Sequence, residues 1–267
     1  MNRMERALRE LGEMDRLASG ESPIHRLHPL AKLIVTIACI AVTVSFGKYA
    51  LSGLVIMALY PILAFQLCGI PVSTCFRKLR IVMPLVMAVG LFNPIFDRAP
   101  ALMLGGIAVS GGVISMLTLM LKGVFCLMAS FLLIATTPID SLCAALRSLH
   151  VPSMLVTLLL LTYRYVGVMT EELAVMTDAY SLRAPGQKGV HYSAWGSFLG
   201  QLLLRSMDRA EELYASMRLR GFHGEFHYAR PRPFNWRDGA WIALCLTAFA
   251  LLRWVNVVEW LGGLIVR

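Results

Sequence analysis

Residues 113–137 read VISMLTLMLKGVFCLMASFLLIATT, an apolar run interrupted by one charge, Lys122. A transmembrane helix needs about 20 mostly apolar residues to cross a hydrocarbon core, and this run meets that length. Four more stretches have the same character: 31–47, 51–69, 79–96 and 239–261. The whole chain agrees with them. Its 267 residues are 57% hydrophobic and 15% charged, with a mean hydropathy of +0.66. A soluble domain carries roughly 25% charged residues, so too few charges are present here to coat a globule.

A sixth apolar stretch, 152–170, is placed by topology. With the N-terminal head inside, the first span exits, the 47–50 turn lies outside, and the second span returns. The 70–80 loop, with Arg77, Lys78 and Arg80, then suits the inside. The third span exits, the Gly-rich and nearly neutral stretch 97–112 lies outside, and the fourth span returns at Thr137. If 152–170 also crossed, Arg183, Lys188, Arg205, Arg209, Arg218, Arg220, Arg230, Arg232 and Arg237 would all lie outside. That violates the bias of Lys and Arg toward cytoplasmic loops. The expectation is therefore an all-α membrane protein with about five transmembrane helices and a cytoplasmic domain of long helices. Its parts are a cytoplasmic N-terminal segment over 1–30, transmembrane helices 1–4 over 31–137, the cytoplasmic domain over 138–238, and the last transmembrane helix over 239–267. The bias also accounts for the net charge of +9 without nucleic acid, for which no aromatic-basic interleaving is visible.

Helix signals inside 138–238 are clear. Thr137-Pro138-Ile139-Asp140 supplies an N-cap, a proline at the first helical position and an acid in the first turn. Pro152 starts a second helix, since the residue before a proline disfavours helical geometry, and no breaker follows until Pro185-Gly186. At 1.5 Å per residue that is a rod of about 50 Å, against about 30 Å of bilayer core. A third helix runs from about 194 to 220 and stops at Gly221. Leu203, Met207, Ala210, Tyr214 and Met217 form its apolar stripe. The head alternates acids and bases (Arg3, Glu5, Arg6, Arg9, Glu10) without the apolar core of a secretion signal, and is expected to be helical around 4–17.

Two of these helices end on an arginine: Ser181-Leu182-Arg183-Ala184-Pro185-Gly186 and Met217-Arg218-Leu219-Arg220-Gly221-Phe222. A cation at a helix C-terminus is common for dipole reasons alone. Two such ends in one cytoplasmic domain suggest more, because a guanidinium is a five-donor fork that reaches a carboxylate on another protein. Lys122, inside a span, is a functional candidate by cost, with snorkelling or pairing in the bundle as the plain alternative. The six cysteines (Cys39, Cys68, Cys75, Cys126, Cys143, Cys245) have no paired rhythm and read as small core residues. The histidine pairs His25/His28 and His223/His227 have spacings compatible with a shared ion, yet fall at boundaries rather than within spans. No GxxxxGK[ST] phosphate loop occurs, so any ATP hydrolysis has to come from a partner.

Taken in order, several segments resemble one family. They are Ser22-Pro23-Ile24-His25-Arg26-Leu27-His28-Pro29-Leu30-Ala31-Lys32-Leu33, Phe92-Asn93-Pro94, Thr136-Thr137-Pro138 with Leu142, Val151-Pro152, and Leu161-Thr162-Tyr163-Arg164-Tyr165. Leu203-Leu204-Arg205-Ser206 through Asp208-Arg209-Ala210-Glu211, Met217 and Arg220-Gly221-Phe222 complete the set. The set is similar to the T component of energy-coupling factor transporters, in particular the CbiQ family of cobalt- and nickel-type importers. The resemblance implies two Ala-Arg-Gly-like motifs that end coupling helices and dock into grooves on two ABC-type ATPase subunits. The second maps onto Leu219-Arg220-Gly221, with Leu in place of Ala, and the first onto Leu182-Arg183-Ala184, which keeps only Arg. The Asp often found before the first proline of the N-terminal signature is His28 here.

The resemblance further implies a separate substrate-binding membrane subunit of CbiM or NikM type, which Lys122 is a candidate to contact, and a small CbiN-like subunit. It implies a plasma-membrane location with the N-terminus cytoplasmic. No catalytic residue, cofactor or metal ligand is expected in this chain. Two rival readings are the T component of a vitamin-type importer and a membrane-embedded enzyme or redox subunit. The second would want His, Asp or Glu clustered within spans, which hold almost none.

Overall fold

The computed structural model describes residues 12–48, 51–80, 82–92, 100–104, 107–187, 189–224 and 233–254. Asn93, Pro94, Gly105, Gly106, Lys188, His227, Arg230, Arg232 and the end of the last span beyond 254 lie outside them, as does the head before residue 12. The chain divides into two compact units, Leu17–Pro138 with Arg232–Arg267 and Met1–Arg16 with Ile139–Pro231.

The first unit is a helical bundle. Its helices are α1 (Pro29–Ser45), α2 (Leu51–Met57), α3 (Leu59–Cys68), α4 (Val72–Leu79), α5 (Met83–Leu91), α6 (Gly111–Thr136) and α10 (Trp236–Trp254). Prolines reshape two of the expected spans. Pro61 has no N–H to offer the Met57 carbonyl, and the 51–69 stretch is two helices meeting at Ala58. Pro84 sits at the start of α5, which runs only Met83–Leu91 rather than from residue 79. The basic stretch 70–80, read as a loop, is mostly helix α4: Gly69 closes α3 at φ 66° and Pro71 opens α4. The stretch 97–112, also read as a loop, contains a two-stranded hairpin of β1 (Pro100–Leu104) and β2 (Ile107–Ser110), with Leu104 opposite Ile107.

Hydrogen bonds set the directions of the bundle. Lys32, near the start of α1, donates to the Thr136 carbonyl at the end of α6 (2.6 Å). Lys122, midway along α6, donates to the Val44 carbonyl at the other end of α1 (3.1 Å). These two helices are therefore antiparallel. Asp238 at the start of α10 accepts from the His28 N–H at the start of α1 (2.9 Å), and Arg253 near the end of α10 donates to the Ser45 carbonyl (3.3 Å). So α1 and α10 run parallel. Between them Val35, Cys39, Met57, Ala129, Cys245 and Phe249 form a buried core. Phe65 stacks on Phe131, with centroids 6.1 Å apart.

The second unit contains α7 (Ile139–Ser148), α8 (Ser153–Arg183), a 3-10 turn over Tyr192–Ala194 and α9 (Trp195–Leu219). The turn between α7 and α8 uses His150 at φ 62°, a left-handed position that a non-glycine residue seldom takes. Its N–H donates to the Arg147 carbonyl, and the Val151 N–H to Leu146, which closes α7. Thr137 does not act as the cap expected of it. Its hydroxyl is buried and has no hydrogen-bond partner among the described residues. Little of α8 and α9 is buried: Val156 and Thr157 on the first, Phe198 and Met217 on the second. Leu203, Met207 and Tyr214 of the expected stripe are exposed. Tyr163 donates to Asp15 (2.7 Å), and Arg205 of α9 forms an ion pair with Glu172 of α8.

Close approach of α5 to α6 depends on Gly123. A Cβ there would lie 2.8 Å from Cγ1 of Val86, a β-branched side chain with little freedom at χ1. Small residues at such crossings let membrane helices pack closely. Gly123→Ala is expected to destabilise the bundle by about 1–3 kcal/mol, read as a lower thermal midpoint in detergent. The double variant with Val86→Ala is expected to recover much of that loss.

Candidate functional site

The candidate site consists of the two helix ends that carry Arg183 and Arg220, and they are built differently. At the end of α9, Arg220 is the last half-helical residue and Gly221 follows at φ 79°. The Gly221 N–H donates to the Arg218 carbonyl (3.0 Å) and the Phe222 N–H to Met217 (3.0 Å). This is the paired closure that a left-handed glycine makes possible. It stops the helix within one residue of Arg220.

The end of α8 has no such glycine directly after its arginine. Arg183 is the last helical residue, and Ala184 leaves the helix at φ −125°, ψ 69°, its N–H still bonded to the Tyr180 carbonyl (3.0 Å). The chain turns at Gly186, φ 93°, and is braced by one side chain. The Tyr180 hydroxyl donates to Gln187 Oε1 (3.0 Å) and accepts the His191 N–H (3.3 Å). His191 then caps the 3-10 turn that leads into α9. The sequence pattern did not mark Tyr180, because its partners lie beyond the end of its own helix.

Both tips are exposed. Arg183 and Arg220 face solvent, and neither guanidinium has a hydrogen-bond or ion-pair partner among the described residues. Two other arginines of this unit are paired: Arg205 with Glu172, and Arg209, which lies 3.7 Å from Glu212; Arg164 and Arg218 are exposed like the tips.

Lys122 is engaged inside the bundle. Its ammonium donates to the carbonyls of Val44 and Phe46, at the end of α1 that Arg253 also reaches. The Arg253 guanidinium lies 4.9 Å from the Phe46 ring centroid. Two cations thus meet the carbonyls that a helix end leaves unpaired. The opposite end of α1 is held by Asp238, whose buried carboxylate accepts from the backbone N–H groups of His28 and Asn235, each 2.9 Å away. Lys32, Asp238 and Arg253 were not singled out in the sequence. A charge at the edge of an apolar run was the available signal.

The histidines are mostly spent on local structure. His25 bonds Ser22 Oγ (2.6 Å) and the Leu17 carbonyl (3.0 Å), and His28 caps α1. Among the described residues no group of three or more His, Cys, Asp or Glu side chains is arranged to hold a metal ion. All six cysteines are free thiols, and only Cys126 is not fully buried. Burial, then the nearby Asp140 carboxylate, pushes the Cys143 thiol above its usual range, which suits an inert core residue.

Tyr180→Phe is expected to leave α8 intact while loosening its tip. Amide hydrogen exchange over residues 187–191 would speed up, and exchange at the α9 tip would not change.

Several curated relatives carry transport names. The chain is 33% identical to the nickel permease LarQ of Lactiplantibacillus plantarum over 125 residues, 47% of this chain and 44% of that protein. It is 36% identical to the cobalt transport protein CbiQ of Rhodobacter capsulatus over 104 residues, 38% of this chain and 42% of that one. These matches thus span less than half the length of either relative. A third likeness extends nearly end to end: 24% identity over 262 residues, 91% of this chain and 98% of the relative, to the energy-coupling factor transporter transmembrane protein EcfT of Lactococcus lactis subsp. cremoris. The model of the family described as cobalt transport protein, CbiQ, matches residues 20–228, and this chain belongs to that family of transporter components.

Proposed function

We propose that this chain is the transmembrane coupling subunit of an ATP-driven importer of cobalt or nickel ions. The observation that carries this is the pair of exposed arginines at the ends of α8 and α9, neither of which has a partner among the described residues. A helix tip that ends on a free guanidinium offers a planar fork to a carboxylate on another protein. Two ATPase subunits are the partners to which the family resemblance assigns these tips, and the absence of a GxxxxGK[ST] loop from the sequence agrees with ATP hydrolysis by a partner. A CbiM- or NikM-like membrane subunit would bind the ion. The exposed apolar side chains of α8 and α9, among them Leu155, Leu158, Leu203 and Met207, would move against it as the ATPases close. Metal as the cargo is favoured by the names of the two relatives with the higher identities, LarQ and CbiQ.

The orientation follows from two supports. One is the basic run from Arg183 to Arg237. The other is the bundle: α6 ends at the end of the bundle where α1 and α10 begin. A chain that leaves and re-enters a bilayer on one face crosses an even number of times between, so α8 need not cross. It is, at 31 residues, one of two described helices long and apolar enough to do so. Both support a cytoplasmic location for residues 138–238. In an otherwise cysteine-free background, Lys188→Cys should resist a membrane-impermeant thiol reagent added outside; rapid labelling would mean that α8 spans the membrane.

The docking function is tested by co-purification of the ATPase subunits together with cobalt and nickel uptake. Arg220→Ala should uncouple more severely than Arg183→Ala, because the α9 tip holds the tighter closure and the better-matched motif. Loss of a charge-assisted contact costs roughly 1.5–3 kcal/mol, about a tenfold to hundredfold weakening, and Arg220→Lys should fail in part since an ammonium is no fork. Full assembly and uptake by Arg220→Ala would return the residue to a plain helix-end cation.

A further inference from the structure

The end of the bundle where α1 and α10 begin holds a cavity of about 690 Å³. Arg26, His28, Arg237 and Asp238 form its polar wall, and Pro23, Leu27 and Pro233 its apolar wall. All of them belong to the first unit. The two oxygens of Asp238 are already taken up, one by the His28 N–H and one by the Asn235 N–H. The His28 ring accepts the Leu30 N–H at Nδ1 (3.2 Å). That leaves its proton on Nε2, a donor without a partner among the described residues. Arg26 and Arg237 are exposed. Both flank the first turn of a helix, and helix N-termini favour negative charge. The depth of the cavity can be read from α10, which is bounded by Trp236 and Trp254, 78% and 93% accessible. Their separation along the helix is about 27 Å at 1.5 Å per residue, close to a bilayer core of about 30 Å. Tryptophan concentrates at the two membrane interfaces. Arg237, next to Trp236, is therefore level with lipid headgroups.

We propose that this cavity binds the headgroup of an anionic phospholipid, with phosphatidylglycerol as the chemistry it fits. Arg26 and Arg237 would take the phosphate oxygens as charge-assisted forks, joined by the Nε2–H of His28. Glu21, the other acid of the lining, and Asn235 would accept from the glycerol hydroxyls. Pro23, Leu27 and Pro233 would lie against the carbon backbone of the lipid. Basic pockets between membrane helices are a recurring site for such headgroups. A soluble phosphate would use the two cations and leave the apolar wall unused. A lipid arrives at this depth already concentrated by the bilayer. A zwitterionic lipid carries the same phosphate together with a cation, which two guanidiniums disfavour. Because Arg26 precedes α1 and Arg237 lies in the first turn of α10, one bound headgroup would tie the starts of these two helices together. The site is built from the bundle alone and is independent of the helix tips.

The test titrates the full chain, purified in detergent, with phosphatidylglycerol or phosphatidylcholine and counts bound lipid by native mass spectrometry, with inorganic phosphate as competitor. Phosphatidylglycerol is expected to bind about tenfold more tightly than phosphatidylcholine, and inorganic phosphate should not displace it. Arg237→Gln should weaken phosphatidylglycerol binding about tenfold, the scale for one charge-assisted contact. Arg237→Lys should recover part of that loss, and the double variant Arg26→Gln with Arg237→Gln should lose more. Leu27→Trp fills the cavity without removing a charge and should weaken binding as well. Arg218→Gln, which removes an exposed arginine from the other unit, should have no effect. The thermal midpoint without added lipid checks that each variant is folded. Displacement by inorganic phosphate would make this a site for soluble anions and overturn the lipid. Equal binding of the two lipids, or equal loss in Arg218→Gln, would reduce the effect to surface charge and overturn the site. Binding like the parent by the double arginine variant, or by Leu27→Trp, would show that the lipid does not occupy this cavity.

Discussion

Helix α1 is held at both ends by charged groups from other helices, and the membrane bundle is organised around that. A helix leaves several N–H and C=O groups unpaired at its ends, and a hydrocarbon core holds no water to satisfy them. At one end of α1, Asp238 takes up the His28 N–H, while Lys32 ties the first turn to the last carbonyls of α6. At the other end, Lys122 and Arg253 meet the carbonyls of Val44, Ser45 and Phe46. Because these partners come from α6 and α10, the same bonds that cap α1 set one neighbour antiparallel to it and the other parallel. Capping and topology are a single device here.

The two units differ in how much they bury. In the bundle, core residues from four helices interlock, with Cys39 and Cys245 filling gaps as small apolar residues and Gly123 bringing α5 against α6. In the other unit, the long helices α8 and α9 bury few side chains of their own and are joined by the Glu172–Arg205 ion pair. Segments with few buried contacts open and move at low cost. The bundle, by contrast, is fixed by packing and by the ends of α1.

The tips show that one outcome can be reached by two local chemistries. Gly221 closes α9 because it adopts a left-handed backbone without strain. After Arg183 stands Ala184, which cannot do this cheaply, and the turn is delayed to Gly186 and braced by the Tyr180 hydroxyl. The absence of a glycine directly after Arg183 is thus accompanied by a bracing side chain three residues before it. The Arg side chain reaches the surface in both.

The sequence by itself determined the apolar runs, the helices that start at Pro152 and stop at Gly221, the two arginine ends and the family. All of these are signalled within a few residues: hydrophobic period, proline, glycine, charge. What it did not determine were features whose partners are far along the chain. Nothing local tells Lys122 that it will meet Phe46, 76 positions away, or Asp238 that it will meet His28, 210 positions away. Read alone, Lys122 was a costly charge in a span; in the folded bundle its ammonium caps a helix. The breaks at Pro61 and Pro84 were legible as prolines, but an apolar average over some twenty residues hides a single missing N–H. His150 took the left-handed turn that glycine usually takes, because the α7–α8 hairpin must close there whatever residue is present. Tertiary structure decided these points because helix-end groups are satisfied by whichever side chain the packing brings near, and packing is a property of the whole bundle.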